Sequence, residues 1–162
     1  MIYYLLFTFV LSNDTVSGPS MQPNFESNDR VITVRHATIH EGDIVVLKAP
    51  DNPGALYIKR VIGMPGDTIR FKNDQLYVNG RKQKEPYLDK GKKLYSNGFL
   101  YTENFTLQSK NLEKKVSANS YFVMGDHRNV SKDSRIFGYV KKSSIVGVVK
   151  LRYWPLNKIT WY

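Results

Sequence analysis

Apolar residues in this chain come in short β-branched runs, and that pattern limits the fold more than any other feature of the sequence. Arg30-Val31-Ile32-Thr33-Val34-Arg35, Asp43-Ile44-Val45-Val46-Leu47-Lys48 and Leu56-Tyr57-Ile58-Lys59-Arg60-Val61-Ile62 are closed by polar residues, Gly or Pro, the punctuation expected of strands. Tyr121-Phe122-Val123-Met124 and the stretch from Ile145 to Leu151 extend the series, and no window carries a long apolar period of 3.6 residues. Thr68 to Lys72 and Gln75 to Val78 read as a hairpin around Asn73-Asp74, with Asn79-Gly80 as a second tight turn. A mainly β protein is expected. Its 162 residues, 41% hydrophobic and 13% aromatic, are enough for one compact domain with an insertion and without covalent staples.

Composition divides the chain. Residues 13–80 and 120–162 carry the strand signals and are expected to form one β core. From Arg81 to about Asn119 the chain is polar and rich in lysine, with scattered aromatics such as Tyr87, Tyr95, Phe99 and Phe105. A structureless loop of that length is unusual inside a compact domain, so residues 81–119 read as a small inserted lobe. Residues 1–12 stand apart: Ile2 to Leu11 give about ten apolar residues, half of the roughly 20 that a spanning helix needs. They read either as a buried first strand or as the outer half of a membrane anchor.

With 24 Lys+Arg against 14 Asp+Glu the formal charge is +10, which calls for an anionic partner: nucleic acid, a membrane surface or an acidic substrate. The absence of cysteine excludes disulfides and thiolate metal sites. His36 and His40 are four apart with no helix indicated, and read as loop histidines more readily than as a metal pair. No metal and no cofactor is expected.

Two residues carry chemical potential. Ser20 sits between Gly18-Pro19 and Pro23, so its hydroxyl belongs to a fixed irregular turn; it is either an ordinary turn serine or a nucleophile. Lys59 lies inside an apolar strand and by alternation shares a face with Tyr57 and Val61. On the wet face it is an ordinary surface lysine; on a buried face it loses proton affinity and becomes a base. An unperturbed lysine is about 2.4 units from its neutral form at pH 8, a penalty of roughly 3.3 kcal/mol that burial can remove. The small residues at Gly18 and the Ser20 backbone N–H are candidate oxyanion donors. Further on, Asp133 and Arg135 can pair to fix the polar loop after Met124, and a Ser20, His127 and Asp126 triad is a weaker alternative, since no glycine-flanked elbow surrounds the serine.

Gly18-Pro19-Ser20-Met21-Gln22-Pro23, Tyr57 through Asp67 and Met124-Gly125-Asp126 through Gly138, taken in order, resemble the type I signal peptidases, most closely the small forms of Gram-positive bacteria. Each segment is moderately specific and the ordered set is highly specific; the resemblance runs from about Val16 to Pro155. It implies a β-rich catalytic core of coiled antiparallel sheets with a smaller inserted β lobe. It implies a serine endopeptidase with Ser20 as nucleophile, Lys59 as general base and Ser131 as the hydroxyl that orients the lysine. By the same resemblance Asp126, Asp133 and Arg135 are structural supports, Arg60 does no chemistry, and Met21, Tyr57 and Ile58 touch substrate. The implied substrate is a secretory preprotein with small residues at −3 and −1, bound extended along strand edges. The implied setting is an anionic membrane surface, with single-pass or peripheral attachment and the catalytic domain on the extracytoplasmic side, and no nucleic-acid partner.

Two local departures stand out: Asn24 where the family usually has threonine, and His127 where it usually has asparagine. Family members carry a full anchor just before the serine motif, so Ile2 to Leu11 reads better as part of an anchor than as a strand. Three other classes compete. A Ser-Lys self-cleaving repressor needs a helix-turn-helix ahead of the serine, where only about 15 residues stand. A nucleic-acid-binding barrel needs no placed Ser20 and Lys59, and a non-proteolytic assembly factor of the same family needs neither residue.

Overall fold

The computed structural model describes residues 9–162, so the reading of Ile2 to Leu11 falls, except for its last three residues, outside the described chain. The strands in chain order are β1 (Leu11–Thr15), β2 (Arg30–Val34), β3 (Ile44–Lys48), β4 (Leu56–Gly63), β5 (Ile69–Lys72), β6 (Gln75–Val78), β7 (Arg81–Gln83), β8 (Phe105–Thr106), β9 (Ser120–Met124), β10 (Val140–Lys141), β11 (Ile145–Trp154) and β12 (Thr160–Trp161). Among the described residues two short α-helices, α1 (Asp89–Tyr95) and α2 (Ser134–Phe137), lie between these strands. The main sheet runs β1-β2-β11-β3-β4-β9-β10 with β12 added on β11, and its pairings are antiparallel.

β11 is the spine of this sheet. It pairs with both β2 and β3, and its register shifts at Ile145/Gly147, Val149/Leu151 and Arg152/Trp154. Such irregularities bend a strand and increase its twist, which coils the sheet. Gly147 sits where a Cβ would collide with the Val34 carbonyl and lie 2.8 Å from the Val34 carbonyl carbon, so only glycine permits the crossing.

The second sheet, β7-β6-β5-β8, begins earlier than the composition suggests. Composition places residues 69–78 with the main core, but Phe71 pairs with Phe105 and draws β5 and β6 to β8. Asn73 and Asp74, then Asn79 and Gly80, have positive φ, as two-residue hairpin turns of this hand require. The sheets are joined by a buried cluster containing Ile62, Ile69, Phe71, Leu76, Phe105, Phe122 and Met124.

β4 sits between β3 and β9, and its residues reach three cores: Ile58 packs with Val16, Met21, Phe25 and Val46, Val61 with Val45, Leu47 and Val123, and Ile62 with the intersheet cluster. Both faces of β4 are therefore buried, and the alternative of a wet face for Lys59 is not realised.

A polar network ties residues 85–102 to the core. The Arg60 guanidinium donates to both Asp126 oxygens at 2.8 and 2.6 Å and stacks 3.9 Å over the Tyr87 ring. The Tyr87 hydroxyl donates to Glu85, which also accepts from Arg128 at 2.6 Å. Arg128, whose side chain is wholly enclosed, donates further to the Gly125 carbonyl and to Thr102 Oγ1. Removing one partner of a buried ion pair strands the other charge, at a cost of about 3–5 kcal/mol. Glu85→Ala is expected to lower unfolding free energy by that amount in urea titration, and a loss under about 1 kcal/mol would show that Arg128 finds other compensation.

Candidate active site

Ser20 lies at the tip of a loop built from its own backbone. Val16 and Asp29 close the base, with the Val16 N–H donating to the Asp29 carbonyl and the Asn28 N–H to the Val16 carbonyl. Gly18 takes a φ of 84°, a left-handed conformation that side chains disfavour, and turns the chain outward. After the serine, the Gln22 N–H donates to the Pro19 carbonyl and the Phe25 N–H to the Met21 carbonyl, forming a tight turn. Met21 and Phe25 are fully buried beneath it and fix the loop to the core.

Lys59 reaches this loop from β4. Its Nζ donates to Ser20 Oγ at 2.7 Å, and the residue is 3% exposed. Burial pushes the amine from its ordinary 10.5 down to about 8; Asp133 and Asp126 act in the opposite direction, and Arg135 in the same one. Lys59 lies 5.2 Å from the centre of the Tyr57 ring. Serine and lysine at this distance, with the amine near neutrality, can pass a proton from hydroxyl to nitrogen.

The loop after β9 forms the third wall. Gly125 has no room for a side chain, since a Cβ would collide with Ser131 Oγ and with the Ser20 carbonyl. Its N–H donates to Asp133 Oδ2, while Arg135 donates to both Asp133 oxygens, at 2.9 Å from Nε and 2.8 Å from Nη2. Burial alone would raise the Asp133 carboxyl, but Arg135 and the Gly125 N–H hold it below its ordinary value. Asp133 also caps α2 by accepting from the Arg135 N–H.

The remaining expected site residues divide. Asp126 carries the Arg60 ion pair. Tyr57 and Ile58 line a cavity of about 180 Å³ shared with Val16, Val31 and Val46. A larger cavity of about 880 Å³, beside Asn119, Lys141 and Lys142, includes neither Ser20 nor Lys59 in its walls. Three expectations need correction. Met21 offers no surface to a substrate because it is 0% exposed and spent on packing under the loop. The Gly18 N–H is taken by Ser27 Oγ at 3.1 Å, which withdraws it as an oxyanion donor. Ser131 Oγ is buried but unbonded among the described residues, so the expected bond to Lys59 is not formed; the hydroxyl rests against Gly125, toward the Ser20 carbonyl. The triad alternative is not assembled either, because His127 Nδ1 faces the Pro19 carbonyl and Asp126 is held by Arg60.

Sequence reasoning missed Ser27 and Tyr95, whose ring stacks 4.0 Å from that of His127. Neither left a signal, since one is a loop serine and the other lies in a short lysine-rich segment. It noted Asn24 only as a departure, although its amide donates to the Tyr87 carbonyl and to Asp126.

The family model described as signal peptidase, peptidase S26, matches residues 1–154. The chain is 38% identical to signal peptidase IB of Staphylococcus aureus (strain MRSA252), over 99% of this chain and 87% of that protein. It is 45% identical to signal peptidase I of Bacillus caldolyticus, over 94% of this chain and 85% of that protein. A crystal structure of a signal peptidase I from Enterococcus faecalis V583 superposes with a TM-score of 0.65 at 38% identity, covering 69% of this chain and 97% of that one.

Lys59 binds its proton less tightly folded than unfolded, so between about pH 8 and 10.5 the unfolded chain holds more protons and stability rises with pH. Below pH 8 the charged amine costs about 3 kcal/mol. Lys59→Met is therefore expected to raise the unfolding free energy at pH 7 by up to that amount and by much less at pH 10, measured in urea. An equal effect at both pH values would show that the amine is not depressed.

Proposed function

The chain belongs to the signal peptidase family, peptidase S26, and on that premise we propose that it is a serine endopeptidase that removes signal peptides from secretory preproteins through Ser20 and Lys59. The observation that carries the residue assignment is the 2.7 Å contact between a buried, weakly basic amine and a serine hydroxyl on a fixed turn. Neutral Lys59 takes the hydroxyl proton as Ser20 Oγ bonds to the scissile carbonyl carbon. The Ser20 N–H faces the oxyanion. The protonated lysine then gives its proton to the departing amine as the C–N bond breaks, leaving an acyl-serine. Water attacks that ester, Lys59 again accepting the proton and returning it to Ser20 Oγ as the acyl C–O bond breaks, which releases the signal peptide with a new C-terminal carboxyl group and regenerates the dyad. Asp133 with Arg135, and Asp126 with Arg60, hold the surrounding backbone.

Substrate is read as an extended segment beside β1, which lies at one end of the main sheet. The cavity of about 180 Å³ walled by Val16, Val31, Val46 and Ile58 suits a small apolar side chain, in keeping with small residues at −3 and −1. Among the described residues no helix is long and apolar enough to cross a membrane. A site at the extracytoplasmic face of the cell membrane is supported by the +10 charge and by exposed Trp154, Leu156, Ile159 and Trp161, which suit an anionic interface.

The test is incubation with a synthetic preprotein and identification of the new N-terminus by mass spectrometry. Ser20→Ala and Lys59→Ala should each lower turnover at least about 1,000-fold, with the double variant no worse, because the two act as one unit. On a short soluble peptide, kcat/KM should rise about tenfold per pH unit and level off above about pH 8, where the amine becomes neutral. Near-wild-type turnover by either variant would refute the assignment.

A further inference from the structure

His127 lies outside the Ser20 and Lys59 pair, yet it grips the serine loop at consecutive peptides. Its backbone N–H donates to the Ser20 carbonyl at 3.0 Å, and its Nδ1 lies 3.2 Å from the Pro19 carbonyl oxygen. A carbonyl only accepts, so Nδ1 carries the proton. The ring is held in turn by Tyr95, stacked at 4.0 Å with 22° between the planes. Tyr95 is the last residue of α1, and its carbonyl accepts from the Asn129 amide at 2.9 Å. The imidazole is thus fixed from behind by residues 89–95 and points at the loop in front.

The peptide between Pro19 and Ser20 is planar, and in its trans form the carbonyl and the N–H point in opposite directions. Holding the Pro19 oxygen therefore aims the Ser20 N–H. The same oxygen also accepts from the Gln22 N–H at 3.0 Å, and donors on a carbonyl polarise the amide and strengthen its own N–H as a donor. Among the described residues the Ser20 N–H donates to no protein acceptor.

We infer that His127 is a positioning residue that, through the Pro19 carbonyl, aims and polarises the Ser20 N–H at the oxyanion, with Tyr95 as its brace. This rests on the reading of Ser20 as the nucleophile. It also gives the departure from asparagine a physical meaning: an Asn side-chain nitrogen occupies the place of Nδ1 and can donate the same hydrogen bond, but cannot stack on Tyr95 as a ring does. Burial keeps the imidazole below its ordinary pKa, which favours the neutral form that the contact to Pro19 uses.

Two variants separate donor from ring. His127→Phe keeps the stack on Tyr95 and loses the donor; His127→Asn keeps the donor and loses the stack. On a short soluble peptide, with wild type and Ser20→Ala run alongside and melting temperatures recorded, His127→Phe should lower kcat about 10- to 100-fold with KM within twofold. His127→Asn should stay within about threefold of wild-type kcat. Wild-type kcat for His127→Phe, or equal impairment of both variants, overturns the inference while an inactive Ser20→Ala leaves the nucleophile in place. Full activity of Ser20→Ala overturns both.

Discussion

Two adjacent cations on one buried strand meet opposite fates, and the site depends on that difference. Arg60 faces Asp126 across two short hydrogen bonds, so its charge is matched and stays. Lys59 faces a serine hydroxyl, which can share a proton but cannot neutralise a charge, so desolvation prevails and the amine falls to about 8. The alternation of a strand is what sends the neighbours to different partners. Shifting the register by one residue would exchange them, placing a permanently charged guanidinium at the serine and leaving no base.

The backbone around the dyad is crowded by design of the loops, not by large side chains. Gly125 lies where Ser131 and the Ser20 carbonyl leave no space for a Cβ, and its N–H and C=O are held by Asp133 and by Arg128. Arg128 in turn is anchored by Glu85 from the segment that connects β7 to β8 within the second sheet. That segment therefore bears on the serine loop through charge as well as through the stack of Tyr95 on His127. A change far along the chain, in residues that touch neither Ser20 nor Lys59, can alter the shape of the loop.

The long strands were legible because their β-branched residues face cores on both sides; Ile44 to Leu47 are buried throughout. β1 was not, since Ser12, Asn13 and Asp14 look like a loop, and only pairing with Ile32, Val31 and Thr33 makes them a strand. β8, β10 and β12 are two residues each and carry no period to read. The edge of the second sheet was misplaced because the hairpin of β5 and β6 looks the same whichever sheet it joins; the choice is made by Phe105, more than thirty residues on. At the site, the order of the motifs pointed to Ser20 and Lys59, but alternation alone could not say which face of β4 was dry. Met21 and Gly18 share one physical reason: a side chain or N–H near a reactive group is as easily consumed by the fold as left for a ligand, and sequence does not show which. Ser131 differs, its hydroxyl buried at the site but without the expected bond to Lys59.

The same burial that makes Lys59 a base works against the fold. Below pH 8 the charged amine costs about 3 kcal/mol, a large share of the 5–15 kcal/mol by which domains are stable. That cost falls on β4, which among the described residues is the one strand whose residues enter all three buried clusters. Ile58, Val61 and Ile62 flank the cationic pair, and each fully buried aliphatic side chain contributes about 1.5–3 kcal/mol. A surface strand could not hold an unpaired lysine dry, and a strand packed on one face would let the amine turn to water and recover its proton. Placing the base at the junction of the cores is therefore the condition for having a base at all.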